Sequence, residues 1–494
     1  MFASIAQDTK YSIQNFFYIK LRINHLGLLL LLFFLYPAFF GGGRLFAQTN
    51  GLLFTVNDVA DTADASVGDG ICADAVGRCT LRAAVEESNA TAARDAIIFN
   101  LPQPSIINLT LGELTINYSL DIVGPGARRL TVQRSTAAGT PNFRIFHVPP
   151  GQISFNIRGL TIRNGNDLSG GAMLIEPGGV AGLYDSAVIG NRAVGGGAIA
   201  VNQSRLTVLR TLVSSNLADT SGGGINITDS ASNVTITCST LTGNSASYGG
   251  AMNNEGALIL INNTISQNAA SASSSSIFSN ASGSIKALNT IIGRDTAQPA
   301  SALKGQFISL GNNIVTDARN SIGFTNGVNS DQVSDNNAID PMLGNLADNG
   351  GQSDTLAVLS GSPAINLANP CVLNGICSQL PGVFIRGSLD QRGYLRPNLF
   401  SNETEIGAFE QVGPIIAIRL GTVGVLFTSA FNPLSRFARS PVILTNARTL
   451  EKQYSTLKLN GSVLFPGVRR DDVYIVEIKT KRNGLPTPLV FAFD

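Results

Sequence analysis

The sequence predicts an all-β protein: a right-handed parallel β-helix with a short N-terminal capping helix and a small C-terminal antiparallel β domain. Three observations carry that expectation. A pattern returns every 26 or 27 residues between Leu160 and Asn268, with Gly171-Ala172-Met173, Gly197-Ala198-Ile199, Gly224-Ile225 and Gly250-Ala251-Met252 marking successive periods, and a fixed period of that length signals a repeat architecture. Apolar residues alternate between the glycines, as in Leu206 and Val208, Val234, Ile236 and Cys238, or Leu258 and Leu260; this is the two-residue period of a half-buried strand. Each period closes on an asparagine: Asn164, Asn191, Asn216, Asn244 and Asn268. Three short strands and three turns fill one period, and no run in the region has helical spacing.

The physics of such a rung explains its residues. Each rung pairs its backbone with the rungs above and below, about 4.8 Å away, and buries its apolar face only by stacking. Glycine supplies the positive φ angles of tight corners. Asparagines recurring at one corner are expected to form a ladder of side-chain amides along the axis. Cys238 falls on the inward face of its strand and reads as a buried thiol.

Composition narrows the function. The chain of 494 residues has 14% charged residues, 52 Gly, no Trp and two His, which suits an exported β-rich protein. His25 lies in a leader segment, so a Ser-His-Asp triad would have to use His147, and a multi-histidine metal site is excluded. His147 follows Ile145 and Phe146 and reads as a packed or surface histidine. Net charge is +3 over residues 1–47, −8 over 48–410 and +6 over 411–494. A body of that sign gives no reason to expect nucleic acid.

Along the chain, Lys20 and Arg22 precede the apolar run Leu26–Phe40. Residues 1–47 therefore read as an export signal cut after Ala47, with an uncleaved anchor as the alternative. The mature chain is expected to have no membrane span and to be secreted or at the cell surface. Export makes disulfides the natural reading of Cys72 with Cys79 and of Cys371 with Cys377, each pair closing a short loop.

Residues 48–95 hold a strand at Phe54-Thr55-Val56 and then one helix, with Thr80 as N-cap and Leu81, Ala84, Val85 and Ser88 on one face. A helix placed just ahead of a solenoid covers its open end. No cofactor is expected. Calcium held by Asp58, Asp61, Asp64 and Asp69 is the alternative, but their spacing does not match an EF-hand loop and aspartate is a common turn residue. The motif Cys79-Thr80-Leu81-Arg82-Ala83-Ala84 makes this block resemble the CSLREA domain of secreted bacterial proteins. Thr80 stands for the family's serine and Ala83 for its glutamate, so only half of the family's capping box remains.

Residues 96–325 are expected to form the rungs, the first ones irregular. In 326–410, Asp340-Pro341-Met342-Leu343-Gly344, Leu346-Ala347-Asp348-Asn349-Gly350-Gly351, Gly361-Ser362-Pro363-Ala364-Ile365, Asp390-Gln391-Arg392-Gly393 and Glu405-Ile406-Gly407-Ala408-Phe409-Glu410 are similar, in order, to a choice-of-anchor domain. We read this block as a C-terminal cap closing on a final strand. Residues 411–494 form a small basic β domain with hairpins at Asn460-Gly461 and Asn483-Gly484. There Arg469, Arg470, Lys479, Lys481 and Arg482 are the candidate contacts to an anionic cell-envelope polymer, since no covalent anchor is encoded.

The functional expectation is an exported, noncatalytic cell-surface or extracellular β-helix protein, acting as an adhesin-like binding or display scaffold for a glycan or envelope polymer. The alternative is a polysaccharide lyase or hydrolase of the pectate-lyase-like β-helix type. Such sites need paired carboxylates, or calcium carboxylates with a basic residue. The repeats offer Asp167, Glu176, Asp185, Asp219, Asp229 and Glu255 at unmatched positions, no lysine occurs between Ala47 and Lys286, and Trp is absent. The family resemblance implies the scaffold class without naming a ligand.

Overall fold

The alternation read from the sequence is what the chain uses to build its core. In a computed structural model, Leu206 and Val208, Val234 and Ile236, and Leu258 and Leu260 are all buried. They stack in parallel register, Leu206 opposite Val234 and Val234 opposite Leu258. The structure describes residues 51–411 except 275, 281, 294, 296–300, 375–376, 379, 381–386, 395 and 397–402. Beyond these it describes the strands Ala417–Gly421, Gly424–Thr428, Pro441–Asn446, Lys452–Thr456, Leu464–Phe465, Val473–Ile478 and Leu489–Ala492.

The body is a parallel β-helix. Sheet I runs from Asp95–Phe99 to Ser284–Leu288, sheet II from Ser105–Leu109 to Gln332–Val333, and sheet III from Leu114–Thr115 to Ile277–Ser279. A short sheet IV of five strands, from Asn166–Ser169 to Ala269–Ser273, turns the corner between II and III. The chain visits I, II, IV and III in order and repeats for about eight turns. Strand pairing continues past the expected limit of 325, because Gln332–Val333 still pairs with Ile314–Val315.

The glycine column is shifted by one residue in the third period. Register pairs Met173 with Ile199, Ile225 and Met252 in turn, so Gly223, and not Gly224, continues the column of Gly171 and Gly197. These glycines serve close approach. A Cβ on Gly197 would lie 2.3 Å from the Gly223 carbonyl oxygen of the next rung, and one on Gly223 would lie 2.4 Å from that of Gly250. The positive φ angles belong to the preceding column, Gly170, Gly196, Gly222 and Gly249.

The amide ladder exists, with one member exchanged. Asn191 Nδ2 donates to Asn216 Oδ1 at 3.0 Å, Asn216 Nδ2 to Asn244 Oδ1 at 2.9 Å, and Asn244 Nδ2 to Asn268 Oδ1 at 3.0 Å. Each acceptor oxygen also takes the backbone N–H of the residue one rung earlier. At the lower end Asn191 Oδ1 takes the Gly165 N–H, and at the upper end the Asn268 N–H reaches Asp295. Asn164 is not a rung of this ladder. It occupies the positive-φ column with Gly190, Ser215, Gly243 and Gln267, one residue earlier in the turn, and its amide bonds Gln133 instead.

A second ladder, unmarked by any repeated residue, climbs the corner between sheets I and II. Ser186, Thr211, Ser239, Asn263, Thr290, Asn313 and Asp331 each accept the backbone N–H of their predecessor or its equivalent. Hydroxyl, amide and carboxylate all suffice because the position asks only for an acceptor oxygen.

The N-terminal helix Leu81–Ser88 closes the first rung as expected. Thr80 Oγ1 accepts the Ala83 N–H at 3.1 Å, and Leu81, Ala84 and Val85 join the solenoid core with Phe54, Val56, Ile97 and Leu109. Arg82 bonds Asp61 and the carbonyls of Gly112 and Glu113, tying helix to rung. Strand Leu53–Val56 adds one more parallel neighbour to Asp95–Phe99.

The described residues of 343–411 do not close the far end. They lie along the outer face of sheet II as a lateral strap. Leu343, Leu356, Val358, Ala364, Ile406 and Phe409 pack on Ile291 and Ile314, and Leu346 packs near Ala127, Ala187 and Leu212. Arg128 pairs with Asp348 and Asp354 beside the second strand of sheet II, and Gln332 on its tenth strand donates to the Pro363 carbonyl. At about 4.8 Å per rung the strap spans on the order of 40 Å. Glu405–Glu410, expected as a final strand, is a series of bends, because its backbone bonds go to the Ala364 carbonyl, Asp390 and Thr264 rather than to a strand partner.

The C-terminal strands form two antiparallel sheets. Val473–Ile478 and Leu489–Ala492 pair antiparallel, and the turn expected between them at Asn483-Gly484 lies outside the described residues. The hairpin turn expected at Asn460-Gly461 lies outside the described residues; on either side of it, Lys452–Thr456 pairs with Pro441–Asn446 and Leu464–Phe465 pairs with Gly424–Thr428. Arg469, Arg470, Lys479, Lys481 and Arg482 lie outside the described residues.

Candidate functional site

The fold gathers ionisable side chains at two places. The first surrounds His147. Phe146 and Val148 face the core, so His147 between them faces outward. Glu113, one turn earlier, meets its Nδ1 at 2.9 Å, and Glu176, one turn later, meets its Nε2 at 2.8 Å. Arg144 Nε lies 2.9 Å from Glu113 Oε2, and Arg144 Nη2 lies 3.2 Å from Asp167 Oδ1. Of these, the sequence singled out His147, Glu176 and Asp167. Glu113 and Arg144 sit in the irregular first rungs, where no period exists to align them.

The electrostatics follow from the geometry. An imidazole can donate from both nitrogens only when protonated. The hydrogen bond that His147 donates to Glu113 raises its pKa against the opposing effect of burial, and the one to Glu176 adds to the rise. Burial pushes Glu113 upward, but the hydrogen bond and charge of His147, with the charge of Arg144, outweigh it and leave Glu113 below the usual range. A glycosidase acid needs a raised pKa and a free carboxyl; Glu113 has the opposite shift and both oxygens engaged.

This arrangement makes a prediction with a fixed sign. A histidine whose pKa is raised on folding contributes stability that is complete below its unfolded pKa, about 6.5, and lost as pH rises through the higher folded value. The wild-type melting temperature should therefore fall between about pH 6.5 and the folded value, and His147→Gln should flatten that part of the profile. A profile unchanged by the substitution would remove His147 from the linkage.

The second cluster lies within the strap, on the side that faces sheet II. Arg396 is fully buried and donates to Glu410 Oε2 at 3.3 Å and to the carbonyls of Glu405 and Gly407. Thr404 Oγ1 also donates to Glu410 Oε2, and the Glu410 N–H reaches Asp390 Oδ2. Arg392 pairs with Asp390 and covers the ring of Phe409 at 3.7 Å. Burial, reinforced by the nearby Glu410, pushes Glu405 up to about 9, so it is neutral at physiological pH. Gln391 accepts from Thr240, and the Ala408 N–H donates to Thr264, fastening the cluster to sheet II.

Cys238 belongs to this interface and not to the core. It is buried as expected, but it follows strand Asn233–Thr237 at φ +49, in the outward corner column of Asp185, Arg210 and Asn262. It lies close enough to Arg396, Arg210 and Asp390 to feel their charges, and burial pushes its thiol pKa up. Alternation placed it inward because the corner turn breaks the period one residue earlier. The two expected disulfides, Cys72–Cys79 and Cys371–Cys377, are both formed.

The remaining carboxylates do not converge. Asp185 holds Arg158 and Arg210, Asp219 holds Arg192, and Asp229 caps its own turn. Asp58, Asp64 and Asp69 each accept turn N–H groups, and Asp61 pairs with Arg82. Among the described residues no three metal-ligating side chains come together, and no helix is long and apolar enough to cross a membrane.

Fold and site together define a strapped parallel β-helix whose charge clusters are internally paired. No family model and no curated protein matches the chain. A solved structure described as Geobacillus virus E2 ORF18 is similar to it over 89% of this chain and 86% of that one, with a TM-score of 0.31 and 9% identity.

Proposed function

We propose that the protein is a noncatalytic binding or display scaffold at the cell surface or outside the cell, presenting its solenoid to a glycan. The observation that carries this is that both clusters of ionisable groups pair internally: His147 and Arg144 are held by Glu113, Glu176 and Asp167, and Arg396 and Glu410 pair on the buried side of the strap. The outer faces of the solenoid leave polar side chains accessible, together with Tyr118 and Tyr248. The resemblance to CSLREA and choice-of-anchor domains, and the apolar run at Leu26–Phe40, support export and surface display. A screen of residues 48–494 for glycan binding and for polysaccharide degradation tests the reading. Binding without degradation is expected; depolymerisation would establish the lyase or hydrolase alternative.

The basic segment 411–494 completes the proposal as a noncovalent attachment to an anionic envelope polymer. Removing it is expected to abolish envelope binding, and raising the salt is expected to weaken binding of the full chain, because exposed charges are screened beyond about 8 Å at 0.15 M ionic strength. Equal binding by residues 48–410 would end this assignment.

A further inference from the structure

We infer that the outer face of sheet III, where it meets sheet IV over the fifth to eighth turns, is a binding site for a neutral polysaccharide chain lying along the solenoid axis. This rests on the scaffold reading and gives it a location. Side chains at one register position of sheet III point outward in single file. Asn226 stands beside Asn253, and Asn253 beside Phe278, one rung apart in each case, and Phe278 stands beside Lys304. These rungs, about 4.8 Å apart, thus present the Asn226 amide, an aromatic ring and an amine to one extended ligand.

The two amides are tied to each other and not to the body. Asn253, itself buried, donates from Nδ2 to Asn226 Oδ1 at 2.8 Å and fixes that amide, which leaves Asn226 Nδ2 for a ligand. A donor held in a fixed direction suits a sugar hydroxyl, which accepts as well as donates. The aromatic platform comes from two sheets. Tyr248 of sheet IV, 42% exposed, meets Phe278 edge-on with ring centroids 5.4 Å apart. Such a ring offers an apolar surface to the C–H face of a sugar and a hydroxyl at its rim. Lys304 Nζ covers Phe278 at 5.2 Å, so an amine that can donate to a saccharide hydroxyl sits at the rim of the aromatic platform.

Gly195 keeps the approach open. A Cβ there would come within 3.1 Å of Asn226 Nδ2, so a larger side chain would stand over the amide pair while removing none of the contact groups. The face is separate from sheet II, which the strap covers, and from the His147 cluster on the first three turns.

Titration of the full chain with neutral and anionic oligosaccharides, read by calorimetry, tests the site. Tyr248→Ala and Asn226→Ala should each weaken binding of a neutral chain by about tenfold or more, and Gly195→Phe should block it while melting stays near wild type. Wild-type binding that all three variants retain would place the ligand elsewhere, overturning this site while the scaffold reading survives. A preference for anionic chains would overturn the neutral assignment. If the wild-type chain binds no saccharide, the site and the glycan reading fall together.

Discussion

Replacing Arg396 with alanine is expected to detach the strap. The guanidinium is the cation at the centre of a buried group that includes Glu410 and the carbonyls of Glu405 and Gly407. Removing one partner of a buried ion pair leaves the other charge uncompensated, at a cost of about 3–5 kcal/mol. Cys238 supplies the readout, since it is buried between the strap and sheet II. In wild type its alkylation should be slow under native conditions; in Arg396→Ala it should be faster by more than a hundredfold, because each 1.4 kcal/mol is a factor of ten in the open population. Unchanged alkylation would show that the apolar contacts of Leu356, Ile406 and Phe409 hold the strap without the ion cluster. The Glu405 shift adds a direction. A carboxyl kept protonated on folding binds more protons folded than unfolded, so stability falls as pH rises from about 4.3 toward about 9.

The second large effect is expected in the amide ladder. Asn216 Nδ2 donates to Val188 O and Asn244 Oδ1, and its Oδ1 accepts two bonds from Asn191. Asn216→Asp preserves size but turns the donor into an acceptor facing two oxygens, and buries a charge. Asn216→Ala leaves several buried groups unmet, each worth about 1–3 kcal/mol. The aspartate should therefore be the worse of the two in urea unfolding, and both should be far worse than Asn164→Gly, which suits the positive φ and lies outside the ladder. Equal effects for aspartate and alanine would show that the corner admits water.

The rungs were legible because their signal is periodic: glycine, asparagine and alternating apolar residues return at a spacing fixed by the perimeter of one turn. The same regularity explains the errors. A turn that gains one residue moves Gly223 into the column where Gly224 was read, and the corner after Thr237 turns Cys238 outward. The serine, threonine and asparagine ladder stayed hidden because three chemistries satisfy one geometric demand. Glu113 and Arg144 were invisible for a different reason. They meet His147 across turns of unequal length, and contact between turns is set by register, which a sequence shows only where the period is regular. The motifs of 326–410 read as an end cap, because nothing in them says whether the segment covers an end or a side; that is decided by the apolar outer residues Leu212, Ile291 and Ile314, which sheet II would otherwise expose.

A stack whose rungs touch only their neighbours can fray from either end, one turn at a time. The strap removes that freedom. One continuous segment is fastened to Arg128 near the start of the stack and to Asn312 and Gln332 near its finish, so opening a terminal rung also loosens contacts several turns away. Tension applied along the axis is shared between two parallel members, the rung-to-rung ladders and the strap, as a splint shares the load on a rod. The molecule should then give way in one large step rather than peel.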